Sequence, residues 1–178
     1  MDNQKLNSVV EVLIFYSPSP IKPDRIKEIV KAGRSEILQA IEELNCDYKK
    51  SGRSFHIRKI AGGYQFYALP EFSSYLKELR KTKAVVLSSP TLETLAIVAY
   101  RQPITRPEIE NIRGVDSKGI LRNLLEKNLI KVMGRKDIVG KPTLYGTTSS
   151  FLKHFGLNSI SELPKIGELS TNLFKKES

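Results

Sequence analysis

The sequence predicts an α+β chain, mainly helical, made of two tandem winged-helix domains, each with three helices followed by a β-hairpin wing. Two observations predict it. One is an internal repeat at a single offset, and the other is a switch inside each copy from helical apolar spacing to strand-like runs around a turn. Shifting the chain by 83 places lays Val9 on Leu92, Val12 on Leu95, Ile14 on Ile97, Pro20 on Pro103 and Ile21 on Ile104. The same shift pairs Ile26 with Ile109, Ile29 with Ile112, Ile37 with Ile120, Leu38 with Leu121 and Ile41 with Leu124. Further on, Phe66-Tyr67 falls opposite Leu144-Tyr145 at an offset of 78, so the second copy is expected to lack about five residues before its final strand.

In the first copy, Leu6, Val9, Val10, Leu13 and Ile14 recur at helical spacing until Ser17-Pro18-Ser19-Pro20 ends the pattern. Pro23 suits the first turn of a second helix carrying Ile26, Ile29 and Val30, and Gly33 is expected to stop it. A third helix begins at Ser35, with Ile37, Leu38, Ile41 and Leu44 inward and Glu36, Glu42 and Glu43 outward. Strand-like runs 55–60 and 64–69 flank Ala61-Gly62-Gly63, the signature of a hairpin. Residues 71–81 have helical periodicity and close the first domain, leaving a linker near 82–87. The second copy repeats the order: a helix from Leu92 to Tyr100, a turn through Gln102-Pro103-Ile104, and helices at 107–112 and 117–127. Runs 130–133 and 143–145 then flank a Gly/Pro-containing wing, 134–142, and a last short helix holds Phe151, Leu152 and Phe155 before Gly156. The expected domains are 1–86 and 87–166, with a mobile tail over 167–178.

The 178 residues include 29 Lys and Arg against 19 Asp and Glu, a net charge of +10 that each half shares at +5. A positive field attracts polyanions, but no part of the chain stands out as the basic footprint. Cys46 is the single cysteine, so no disulfide forms within the chain, and a cytoplasmic location is expected without a secretory signal or a membrane span.

Chemistry is sparse. His56, His154 and Cys46 are too few for a closed zinc site, which takes four ligands. A Cys46–His56 pair lacks any presenting turn or oxyanion partner. The segment Gly134 to Pro142 superficially resembles a phosphate-binding loop, but it has five residues between its glycines, Pro142 in place of Ser/Thr, and no following helix. The sequence therefore predicts a protein that is not an enzyme and needs no metal or cofactor.

Binding remains. The third helix of the first copy presents Glu36, Gln39, Glu42 and Glu43, which would repel phosphate; that of the second presents Lys118, Arg122, Asn123, Glu126 and Lys127, which would permit DNA contact. A DNA-binding winged-helix transcriptional regulator is the alternative reading. In both first helices the apolar residues exceed a one-sided stripe. Either those helices are buried nearly all round, or the surplus meets a partner, in which case Val9, Val12, Leu13, Phe15 and Tyr16 are the candidate dimerisation residues.

Residues 92–106, Glu108-Ile109, Ile112 to Val115, Gly134 to Asp137, Gly140-Lys141-Pro142 and Tyr145 to Thr148 resemble the second half of the ScpB family, the segregation and condensation protein B of bacteria. Val10 to Phe15, Gly52-Arg53 and Gly62-Gly63-Tyr64 are similar to its first half, and the resemblance runs to about Ile166. It implies two winged-helix domains, the first for dimerisation and the second for kleisin binding. The homodimer would bind ScpA, a kleisin bridging the heads of an SMC ATPase, in the condensin-like complex that condenses and partitions the chromosome during cell division. The family has no catalytic residues; ATP hydrolysis belongs to the SMC partner. DNA is reached indirectly, any direct contact being weak, and the location implied is the cytoplasm at the nucleoid. The matching positions for a partner groove on the second domain are Leu95, Tyr100, Pro103, Thr105, Arg106, Arg113, Arg135, Lys136 and Tyr145.

Overall fold

The computed structural model describes residues 2–79 and 87–165. The chain divides into two compact units, 1–88 and 89–178, and its make-up is α+β with helix predominating. The expected linker over 82–86, the end of the preceding helix at Lys81 and the tail over 167–178 lie outside the described residues.

Unit one runs α1 (Asn3–Tyr16), α2 (Pro23–Val30), α3 (Arg34–Lys50), β1 (Phe55–Ile60), β2 (Gly63–Ala68) and, after a 3-10 turn at Pro70–Phe72, α4 (Ser73–Leu79). Leu6, Val10 and Ile14, four apart, form the buried edge of α1 and meet Ile26 of α2 and Ile37, Ala40, Ile41 and Leu44 of α3. Asn7 Nδ2 donates to Glu43 Oε2 at 2.8 Å, and Tyr48 Oη donates to Glu11 Oε1 at 2.6 Å, so polar bonds flank the α1–α3 seam. Burial, and then the bond to Glu11, push the Tyr48 phenol well above its ordinary pKa.

The stop of α2 differs from expectation. Lys31 takes the left-handed conformation (φ 53°) and its N–H bonds to the Lys27 carbonyl, whereas Gly33 is extended and caps the start of α3, its N–H bonded to the Glu36 carboxylate. The hairpin β1–β2 pairs Phe55 with Ala68 through Ile60 with Gly63, so the loop is two residues, Ala61-Gly62, both with positive φ. Asn45 joins hairpin to helix: its Nδ2 donates to the Ile57 carbonyl at 2.9 Å, and the Ile57 N–H donates to its Oδ1 at 2.8 Å.

Unit two runs α5 (Ser89–Arg101), β3 (Ile104–Thr105), α6 (Arg106–Arg113), α7 (Lys118–Glu126), β4 (Ile130–Arg135), β5 (Thr143–Thr147) and α8 (Ser149–Phe155), then a 3-10 turn at Ile160–Glu162. Residues 104–105, expected in a turn, form a short strand, giving a three-stranded antiparallel sheet in the order β3-β5-β4. Gln102 locks that arrangement, its Oε1 accepting from the Thr147 N–H at 2.7 Å. Thr148 caps α8 through the Phe151 N–H, and Gly156 (φ 73°) ends it.

The two units are related, with two adjustments to the expected alignment. Ile21 bridges Tyr64 in unit one and Ile104 pairs with Tyr145 in unit two. That equivalence has an offset of 81, so about two residues, not five, are lost before the last strand. The first helices are also out of phase: Val12 is 55% exposed where Leu95, its partner at the offset of 83, is 1% exposed. The reading of α1 as buried nearly all round is therefore corrected, because Val12, Phe15 and Tyr16 all project outward.

Candidate partner-binding surfaces

On unit one, α1 and the hairpin enclose an apolar hollow of about 470 Å³. Its walls are Val12 and Phe15 from the helix and Phe55, Phe66, Tyr67 and Ala68 from the strands, with Glu11 at one side. The aromatic rings are organised: Phe15 meets Phe66 edge-on at 6.2 Å between centroids, Phe66 meets Phe55 at 5.4 Å, and Phe55 meets Tyr48 at 5.3 Å. Phe15 nonetheless stays 75% exposed, a cost in apolar surface that folding of this unit leaves unrelieved. Of the five candidate dimerisation residues, Val12 and Phe15 line the hollow, Tyr16 is exposed at the end of α1, and Val9 and Leu13 are half-buried, Leu13 against the core.

On unit two, α6, α7 and the wing bound a groove of about 420 Å³. Leu121 and Leu125, four apart on α7, sit with Pro107 and Tyr145 in it, and Arg106, Lys118 and Arg122 are the charged residues lining it. The wing is clasped to α6 by Lys136, whose Nζ donates to Glu108 Oε1 at 2.5 Å. Glu108 Oε2 accepts from the Thr105 N–H (2.9 Å) and Oγ1 (2.7 Å), a capping box for α6. The Lys136 bond, then those from Thr105, lower the Glu108 pKa to about 2.

The structure separates the nine residues expected in a single partner groove. Arg106 and Tyr145 share the groove just described. Leu95 and Thr105 are buried at 1% and 2% exposure and pack in the interior of the unit. Arg113 is likewise internal: its side chain is 5% exposed, 3.2 Å from Glu93 and 2.9 Å from Ser117 Oγ. Tyr100 donates to the Pro164 carbonyl at 2.6 Å, holding down the segment after α8. Pro103 lies in a different depression with Glu108, Lys136 is held by Glu108, and Arg135 is exposed at the end of β4. The sequence reading passed over Leu121, Leu125 and Pro107 as groove residues. Their signal was available in the adjacent four-residue spacings of Leu121/Leu125 and Lys118/Arg122 on one helix.

Among the described residues no cluster of three or more His, Cys, Asp or Glu could hold a metal ion, and no helix is long and apolar enough to cross a membrane.

These features define a mainly helical α+β chain in two units, each with three helices leading into an antiparallel strand pair and a further short helix after it. The family model described as Segregation and condensation complex subunit ScpB matches residues 8–166. The Segregation and condensation protein B of Syntrophotalea carbinolica is 38% identical over 178 residues, covering 100% of this chain and 90% of that one. That of Symbiobacterium thermophilum is 44% identical over 164 residues, covering 92% and 74%. The solved structure of ScpB from Mycobacterium tuberculosis is 27% identical, covers 88% of this chain and 98% of that chain, and superposes with a TM-score of 0.42. This chain belongs to the ScpB family, a subunit of the segregation and condensation complex.

Proposed function

We propose that this chain works without catalysis of its own, as a homodimer that binds the kleisin ScpA and through it the SMC ATPase. Each unit is then a winged-helix domain, 1–86 serving dimerisation through α1 and 87–166 serving the kleisin. The protein acts in the cytoplasm at the nucleoid, and DNA is handled by its partners. The observation that carries this reading is the family match across residues 8–166, spanning both units. The exposed apolar face of α1 supports the dimer, since an uncovered Phe15 beside Val12 is costly in a free monomer. Co-elution with purified ScpA in size-exclusion chromatography with in-line light scattering tests the reading. It predicts one peak whose mass contains two copies of this chain; separate, unshifted peaks at micromolar concentration contradict it.

A further inference from the structure

The groove on unit two has a chemistry that specifies its occupant more narrowly than "a partner". We propose that it seats a segment of the kleisin that carries acidic side chains next to apolar ones. This rests on the reading of unit two as the kleisin-binding domain.

The accessible floor is apolar, supplied by Leu125, Pro107 and Tyr145 over the buried Leu121, and such a floor takes side chains and offers little to a sugar–phosphate backbone. Every charged residue lining it is cationic: Arg106, Lys118 and Arg122, with no carboxylate among the lining residues. Arg106 and Arg122 are steadied from outside by Glu110 (3.5 Å) and Glu126 (2.9 Å) on their own helices. The Arg122–Glu126 pair is well exposed, so a docked carboxylate can share or replace it at little loss, and Arg106, 45% exposed, keeps donors free of its single 3.5 Å approach to Glu110. Lys118 has no ion-pair partner among the described residues.

The wing favours a polypeptide over nucleic acid. Pro142 and Thr143 at its base form one wall of the groove, and its tip carries Ile138 at 51% and Val139 at 102% exposure. Asp137 and Lys141 flank that apolar pair, so the tip carries charges of both signs around exposed apolar side chains and not the cluster of cations that a wing following phosphates would use.

The test uses the full chain, labelled ScpA from the same organism, and a duplex DNA oligonucleotide as separate probes. Lys118→Glu/Arg122→Glu reverses the rim at exposed positions, and Lys131→Glu/Lys153→Glu makes the same charge change on exposed residues that do not line the groove. The expected result is a loss of ScpA affinity of about tenfold or more for the rim variant and near-wild-type affinity for the control, with unchanged circular dichroism. Undiminished ScpA binding by the rim variant overturns this inference and leaves kleisin binding through another face standing. Duplex binding by the wild type that the rim variant alone loses, with ScpA binding intact, assigns the groove to nucleic acid and also overturns it. A wild-type chain that does not bind ScpA overturns both this inference and the proposed function.

Discussion

Lys136 in the wing and Glu108 on α6, 28 residues apart in sequence, are joined at 2.5 Å between Nζ and Oε1. The same carboxylate caps α6 through Thr105. One side chain thus fixes both a helix start and the direction in which the wing leaves the unit, and the helix start and wing are two walls of the cationic groove.

The first prediction is acid sensitivity of that clasp. The Glu108 carboxyl has a pKa lowered from 4.5 to about 2, so the folded state binds fewer protons than the unfolded one between those values. Its contribution is present above about pH 4.5 and is lost as pH falls toward about 2. Urea midpoints measured across this range should fall more steeply for the wild type than for Glu108→Gln; parallel curves would show that the clasp adds nothing.

Two glycines should respond with opposite sign. A methyl at Gly63 would lie 2.8 Å from the Pro20 carbonyl carbon and oxygen, backbone atoms held by the Ile21–Tyr64 bridge. Gly63→Ala should therefore cost about 1–3 kcal/mol. At Gly119, in the first turn of α7, a methyl meets nothing within 4 Å, so Gly119→Ala should stabilise by up to about 1 kcal/mol. Chemical denaturation of the two variants checks the sign of each.

Asn45 copies the two hydrogen-bonding groups of a strand neighbour for Ile57. Replacing it with Ala leaves a partly buried N–H and C=O without partners and should cost about 2–3 kcal/mol. Hydrogen exchange at the Ile57 amide should accelerate in the variant; unaltered protection would remove Asn45 from the hairpin's support.

For the dimer, Phe15→Glu is the informative change because Phe15 is 75% exposed and its replacement spares the core. Sedimentation equilibrium should show dimerisation weakened by about 2 kcal/mol or more, with an unchanged circular dichroism melt. A dimer of wild-type strength would place the interface on another face.

The helices were legible because apolar spacing, Pro23 and the Gly156 stop act locally, within a turn or two of chain. What escaped was decided at longer range or against propensity. Lys31 adopts a left-handed backbone that its residue type does not announce, so Gly33 looked like the stop. Ile104–Thr105 is a strand only because β5, about 40 residues later, pairs with it. The repeat matched residue types well in the second and third helices, where Ile26 and Ile109 are both at 0% exposure. It misjudged the first helices, since a rotation of the helix changes which residues are buried without changing composition. The candidate site suffered most: an apolar or charged residue such as Leu95 or Arg113 carries no mark in sequence that says whether it faces a partner or its own core.

The most direct measurement of the central claim is isothermal titration of ScpA from the same organism into the purified full-length chain. Saturable binding with a fixed ratio of ScpA to the dimer of this chain is the predicted result. A titration with no saturable heat at any temperature tried, using folded proteins at micromolar concentration, would contradict it.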